Sequence, residues 1–306
     1  MSFVPPLSDA AKGRVALPFA IVTLLWGSTW LVIRGQLGEV PVSWSVCYRF
    51  LTAAITMFIV ALFTRTSLRL TLRQHGLLTV MGICIFCLNF NFVYRAEAHV
   101  TSGIVAVVFA LLLVYNALLG RLFLGQPLSR PFLAGSAVAM AGIGLLFEHE
   151  LRASPHSPHE TALGVGFVLL ALLFASISNV MQSTERMRAI PMPAMLAWGM
   201  TWGALANALV AYATFGPPRI LLTPIYLGGV LYLGVLASAL AFTLYFNMIR
   251  LIGPARGGYV NVLTPVLAMV LSTIFEHYRW SVEAVLGGVL VIAGLVVAMR
   301  ARSPAR

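Results

Sequence analysis

Ten stretches of about twenty apolar residues, separated by short segments that hold nearly all of the charge, leave this chain few ways to fold. In hydrocarbon every backbone N–H and C=O must be satisfied within the protein, so spans of that length become helices. Composition agrees: 60% of the residues are hydrophobic and 9% charged, with a mean hydropathy of +0.93. A water-soluble domain of 306 residues could not cover its surface with so little charge. The net charge of +11 would suit nucleic acid, but the arginines flank apolar spans and form no single basic face. The expected partner is therefore a lipid bilayer and not nucleic acid. Cys47, Cys84 and Cys87 all lie within apolar spans. The last two have CxxC spacing, which is read here as packing and not as redox or zinc chemistry, because buried free cysteine behaves as a small hydrophobe.

The predicted spans are Val15 to Ile33, Ser43 to Phe63, Gly76 to Tyr94, Thr101 to Leu124 and Pro131 to Phe147, then Thr161 to Thr184, Met192 to Thr214, Pro224 to Ile249, Gly253 to Glu276 and Ser281 to Met299. The first is longer than a signal-peptide core, and no small-residue cleavage site follows it. The polar interval Glu148 to Glu160 separates the halves, so the expected organisation is a five-helix unit at 1–147, a connecting loop at 148–160 and a second five-helix unit at 161–306. Of the 20 lysines and arginines, fourteen fall on the side that holds both termini and five on the other, with Arg49 inside the second span. The positive-inside rule then makes both termini cytoplasmic.

Five crossings per half bring the second half into the membrane from the opposite side, so an internal repeat must be inverted. Sliding the chain by 152 residues sets Gly135 on Gly287, Ala141 and Gly142 on Ala293 and Gly294, Phe123 on Phe275 and Ser129 on Ser281. A shift of 148 sets Phe19 on Phe167 and Ser28 on Ser176. The expected fold is an all-α integral membrane protein of ten transmembrane helices in two inverted five-helix repeats.

Of the 16 prolines, Pro265 is the one deep inside an apolar span. It should kink its helix and free backbone polar groups, which lipid tolerates only where the helix faces protein or a water-filled cavity. Asn261 and Thr264 precede it on the face that such a kink would open. Three- and four-residue spacing puts Phe109, Leu112, Leu113 and Asn116 on one face of the fourth span. Their images at a shift of 152 are Asn261, Thr264, Pro265 and Ala268. Further polar or aromatic candidates are Trp26 and Ser28 in the first span, Asn91 and Tyr94 in the third, Ser176 and Asn179 in the sixth, and Tyr245 in the eighth. Each could line a pathway or form an interhelical hydrogen bond that only holds the bundle together. Trp26 could equally be ordinary packing. Arg49 could snorkel to the headgroups, pair with Glu97, or meet a substrate carboxylate.

The ten-span plan, Trp26-Gly27-Ser28, Tyr48-Arg49-Phe50, Leu263-Thr264-Pro265 and the glycine-rich closing helix of each half resemble the drug/metabolite transporter superfamily, in its EamA-like branch. Within that branch the chain is similar to YddG-type exporters of aromatic amino acids. The resemblance implies a bacterial inner-membrane protein with a substrate pathway between its halves. The first, third and fourth helices and their partners, the sixth, eighth and ninth, would build that pathway. One departure is Gly125-Gln126, where the family often carries a glutamate; in the second half Glu276 could fill that place.

All 9 acids lie in tails, loops or span ends, so no carboxylate stands ready to carry a proton or a cationic drug through the core. Nor do buried basic residues cluster as a phosphate or nucleotide sugar would need. Neutral amides, hydroxyls and aromatics suit a neutral or zwitterionic solute such as an amino acid, moved by alternating access. No HExxH, GxSxG or phosphate-binding glycine loop is present, and no cofactor or metal is implied. His149, His156 and His159 read as a solvated loop. A multidrug or cation efflux carrier of the same superfamily, or a membrane-embedded enzyme acting on lipid-linked substrates, are the alternatives.

Overall fold

The computed structural model describes residues 9–153, 157–248, 260–278 and 280–301, and every regular element among them is helical. In chain order the long helices are α1 (Asp9–Arg34), α2 (Val42–Phe63), α3 (Leu72–Glu97), α4 (Ser102–Leu124), α5 (Arg130–Ala153), α6 (Pro158–Gln182), α7 (Met192–Phe215), α8 (Pro224–Met248), α9 (Val260–Phe275) and α10 (Val282–Ala301). Among the described residues 7 helices, α1 to α4 and α6 to α8, are long and apolar enough to cross a membrane. The apolar stretches of α5, α9 and α10 are shorter: Arg130–Leu146, Leu263–Phe275 and Val282–Ala298.

Caps set boundaries that hydropathy hides. Before α3, the Gln74 amide donates to Thr71 Oγ1 at 3.3 Å and the Thr71 amide to Gln74 Oε1 at 2.8 Å. The helix therefore starts ahead of the apolar run at Gly76, and it ends beyond Tyr94 at Glu97. Ser157 and Glu160 make the same reciprocal pair, at 3.0 and 3.3 Å, and start α6 at Pro158. The interval 148–160, expected as a loop, is instead helical through Ala153 and again from Pro158.

Because lipid is as apolar as the core, side-chain size rather than polarity sorts the faces. In α2 the large residues Leu51, Ile55, Ile59 and Leu62 recur at helical spacing and are exposed. The opposite face, with Val46, Phe50, Ala53, Ala54, Met57 and Ala61, is buried. That smaller face lies along α7, and α5 lies along α10; these are the two most extensive helix contacts. Glycine permits the second. A Cβ on Gly142 would stand 2.6 Å from the Gly287 carbonyl oxygen, and one on Gly135 would stand 2.6 Å from that of Gly294.

Two helices widen at mid-length. Ile83–Asn89 of α3 and Tyr232–Leu240 of α8 are π-helical, a local form that often accompanies functional sites. Helix α4 tightens at Ala110–Leu111, where the Leu111 amide donates to Val108 O at 3.0 Å and the Val114 amide to Leu111 O at 2.8 Å. Helix α9 runs from Val260 through the buried Pro265 to Phe275. It packs on α1 and α4, with Leu267 against Gly27.

Candidate functional site

The sequence-predicted residues fall into several groups. Trp26 and Tyr245 meet, with ring centroids 4.8 Å apart, and the Trp26 indole donates to Ala237 O at 3.2 Å. Asn179 of α6 donates to Asn116 of α4 at 3.3 Å. All four are half-buried. Phe109 packs on Trp30 at 5.4 Å. Ser176 and Thr264 are buried with hydroxyls that find no partner. The side chain of Asn261 lies outside the described residues.

Ser28 and Asn91, like Asn116 and Asn179, adopt interhelical bonding that their sequence context left open. Ser28 Oγ lies 2.6 Å from the Tyr232 hydroxyl and donates to Leu24 O at 2.7 Å. Asn91 accepts from Ser43 at 2.7 Å and donates to Cys87 O at 2.9 Å and to Asn207 Oδ1 at 2.6 Å. Asn207 in turn donates to Phe86 O and Gly203 O. This network ties α2, α3 and α7 together and uses both N–H donors and the carbonyl oxygen of each amide.

A charged cluster closes the end of the bundle where α1, α3 and α9 finish and α4 begins. Arg34 donates to the Glu97 and Val100 carbonyls, and its Nε lies 3.8 Å from Glu276 Oε1. Ser102 and Ser272 each donate to Glu276 Oε2 at 2.6 Å. Tyr94 is fully buried and donates to Gln36 Oε1 at 2.9 Å. Glu97, at a span end in the sequence, occupies the last turn of α3 with no exposure, and among the described residues neither of its carboxylate oxygens has a hydrogen-bond partner. Arg49 does not snorkel. It is 2% exposed, its Nε donates to Ser238 Oγ at 3.1 Å, and its guanidinium carbon stands 4.2 Å from the Phe90 ring centroid. Trp44 is buried beside Tyr226.

The EamA-like transporter family matches residues 14–148 and again residues 162–300. The chain belongs to the EamA-like transporter family. It is 25% identical to Protein PagO of Salmonella typhimurium over 301 residues, which is 95% of each chain. It is also 25% identical to a protein of Streptantibioticus cattleyicolor named "Probable terminal-alkyne amino-acid exporter", over 294 residues that make up 95% of this chain and 94% of that one. A solved crystal structure shares the fold with a TM-score of 0.69 at 19% identity, over 95% of this chain and 98% of the other. The transporter is thus a multi-pass membrane protein and not an enzyme.

Arg49 and Glu97 are the residues of this transporter that hydropathy undervalued. Glu97 follows Asn91 and Tyr94 at three-residue spacing, which places all three on one helical face, whereas Arg95 is exposed. That spacing was the available signal.

Proposed function

We propose that the protein exports small neutral or zwitterionic metabolites, amino acids foremost, by alternating access between two inverted five-helix repeats whose termini are cytoplasmic. The observation that carries this reading is the pairing of half-buried neutral amides and aromatics where the halves meet, Asn116 with Asn179 and Trp26 with Tyr245. Such groups can hold a solute and release it. The name of the Streptantibioticus relative points to the same substrate class.

The repeat finds support in contacts that obey two-fold logic. If Gly135 is equivalent to Gly287 and Gly142 to Gly294, a contact of Gly135 with Gly294 requires one of Gly142 with Gly287. Both occur. The π-helical stretches begin at Ile83 and Tyr232, at corresponding places in the two halves. Gly82 faces Gly199 of α7, and Gly234 faces Thr52 of α2. On this reading α5, α9 and α10 also span, Pro265 kinks α9 opposite the Ala110–Leu111 tightening of α4, and the Glu276 end is the outer, closed one.

The test is uptake of labelled amino acids into liposomes by purified protein, with and without a proton gradient. Saturable uptake is expected. Asn179→Ala should raise KM about tenfold, the loss of roughly one hydrogen bond to substrate. No flux of any amino acid would overturn the reading.

A further inference from the structure

Among the described residues, four charged side chains meet at the Glu276 end, and one pair of them is closed. Arg34 and Glu276 lie 3.8 Å apart, and two serine hydroxyls complete the Glu276 carboxylate. Arg49 and Glu97 are left over. Both are buried, and Phe90, whose ring carries the Arg49 guanidinium, lies two turns before Glu97 on the same side of α3. Yet Arg49 Nη1 and both Glu97 oxygens have no hydrogen-bond partner. Burial of opposite charges is costly unless they pair, so two that stand apart are expected to serve something that bridges them.

We propose that Arg49 and Glu97 form the recognition site for the α-carboxylate and α-ammonium groups of an amino-acid zwitterion. This deepens the amino-acid reading above and rests on it. Ser238 and the Phe90 ring hold the guanidinium, which leaves Nη1 without a partner and free to donate to a carboxylate. Glu97 accepts from the ammonium. With Arg34 and Glu276 paired to each other, Arg49 and Glu97 are left to the ligand, whose ammonium would hold Glu97 as its carboxylate. A cation alone leaves Arg49 unpaired and an anion alone leaves Glu97 unpaired, so the net-neutral headgroup is the one that satisfies both. A run of rings leads from Arg49 toward the α1–α8 candidates. Phe90–Phe50 and Phe50–Phe86 are each 4.9 Å apart, Phe86–Phe242 is 5.7 Å and Phe242–Trp26 is 5.3 Å. This run suits an apolar or aromatic side chain.

Binding to the purified full-length protein tests this, by competition with labelled phenylalanine. The competitors are phenylalanine itself, its methyl ester (a cation) and 3-phenylpropionate (an anion). In the wild type each analogue should bind at least about tenfold more weakly than phenylalanine. Glu97→Gln should erase the penalty for 3-phenylpropionate, and Arg49→Gln the penalty for the ester. A merely structural pair would not produce that crossed change. If Arg49→Gln fails to fold, the wild-type series and Glu97→Gln decide. Equal binding of the three ligands by the wild type overturns the inference while leaving amino-acid transport intact. So does a Glu97→Gln protein that keeps its discrimination but loses dependence on a proton gradient, which would make Glu97 a proton carrier. Absence of phenylalanine binding overturns it outright, and absence of flux for every amino acid removes the reading beneath it.

Discussion

Asn207 has no special standing in the sequence, one amide among many apolar residues in α7, yet it completes the bonding of Asn91 and of the Phe86 and Gly203 carbonyls. Replacing it with leucine should leave one N–H of Asn91 buried and unpaired, at a cost of about 1–3 kcal/mol. The expected result is a lower Tm of the purified protein with KM unchanged, whereas Asn179→Ala should shift KM with little change in Tm. Single residues were legible as polar groups inside apolar spans. Which partner each would find was not, because Ser28 and Asn179 look alike until the neighbouring helix is in place. Ser28 is met by Tyr232 and Asn179 by Asn116.

Helix contacts turn on a few atoms of clearance. On α5 a Cβ at Gly142 would press on the Gly287 carbonyl, while one at Gly144 meets open space. Gly142→Ala should therefore destabilise the protein by about 1–3 kcal/mol through overpacking. Gly144→Ala should be neutral or stabilising by up to about 1 kcal/mol through helix propensity. Thermal unfolding of the two variants side by side measures the difference, and Gly287→Ala should match Gly142→Ala. The existence and order of the helices were readable from hydropathy. Their ends were not, since Thr71–Gln74 and Ser157–Glu160 start helices in polar sequence that an apolar window passes over. The widening of α3 and α8 has no hydropathic signature, because it changes backbone hydrogen bonding and not composition.

For the molecule as a whole, alternating access requires the contacts at the Glu276 end to part in each cycle. A Cβ on Gly103 would stand 2.9 Å from Ser272 Cβ, closer than the roughly 3.5–4.5 Å that a disulfide spans, so a slight parting of α4 and α9 brings the two positions into disulfide range. Gly103→Cys with Ser272→Cys, in a background lacking the native cysteines, should form a bond on oxidation that stops liposome uptake, and a reductant should restore it. Uptake that persists in the oxidised protein would place the moving contacts elsewhere. Sequence by itself determined the solvent of this protein, its helical class and its family. Those follow from the length of apolar runs, from where arginines interrupt them, and from motifs that lie within single helices. Only the tertiary structure decided that Arg49 and Glu97 are buried at one end, that Arg34 takes Glu276, and that Asn91 belongs to a structural network. A charge near a span end can reach water or turn inward at no difference in hydropathy, and the choice is made by the helices that pack against it.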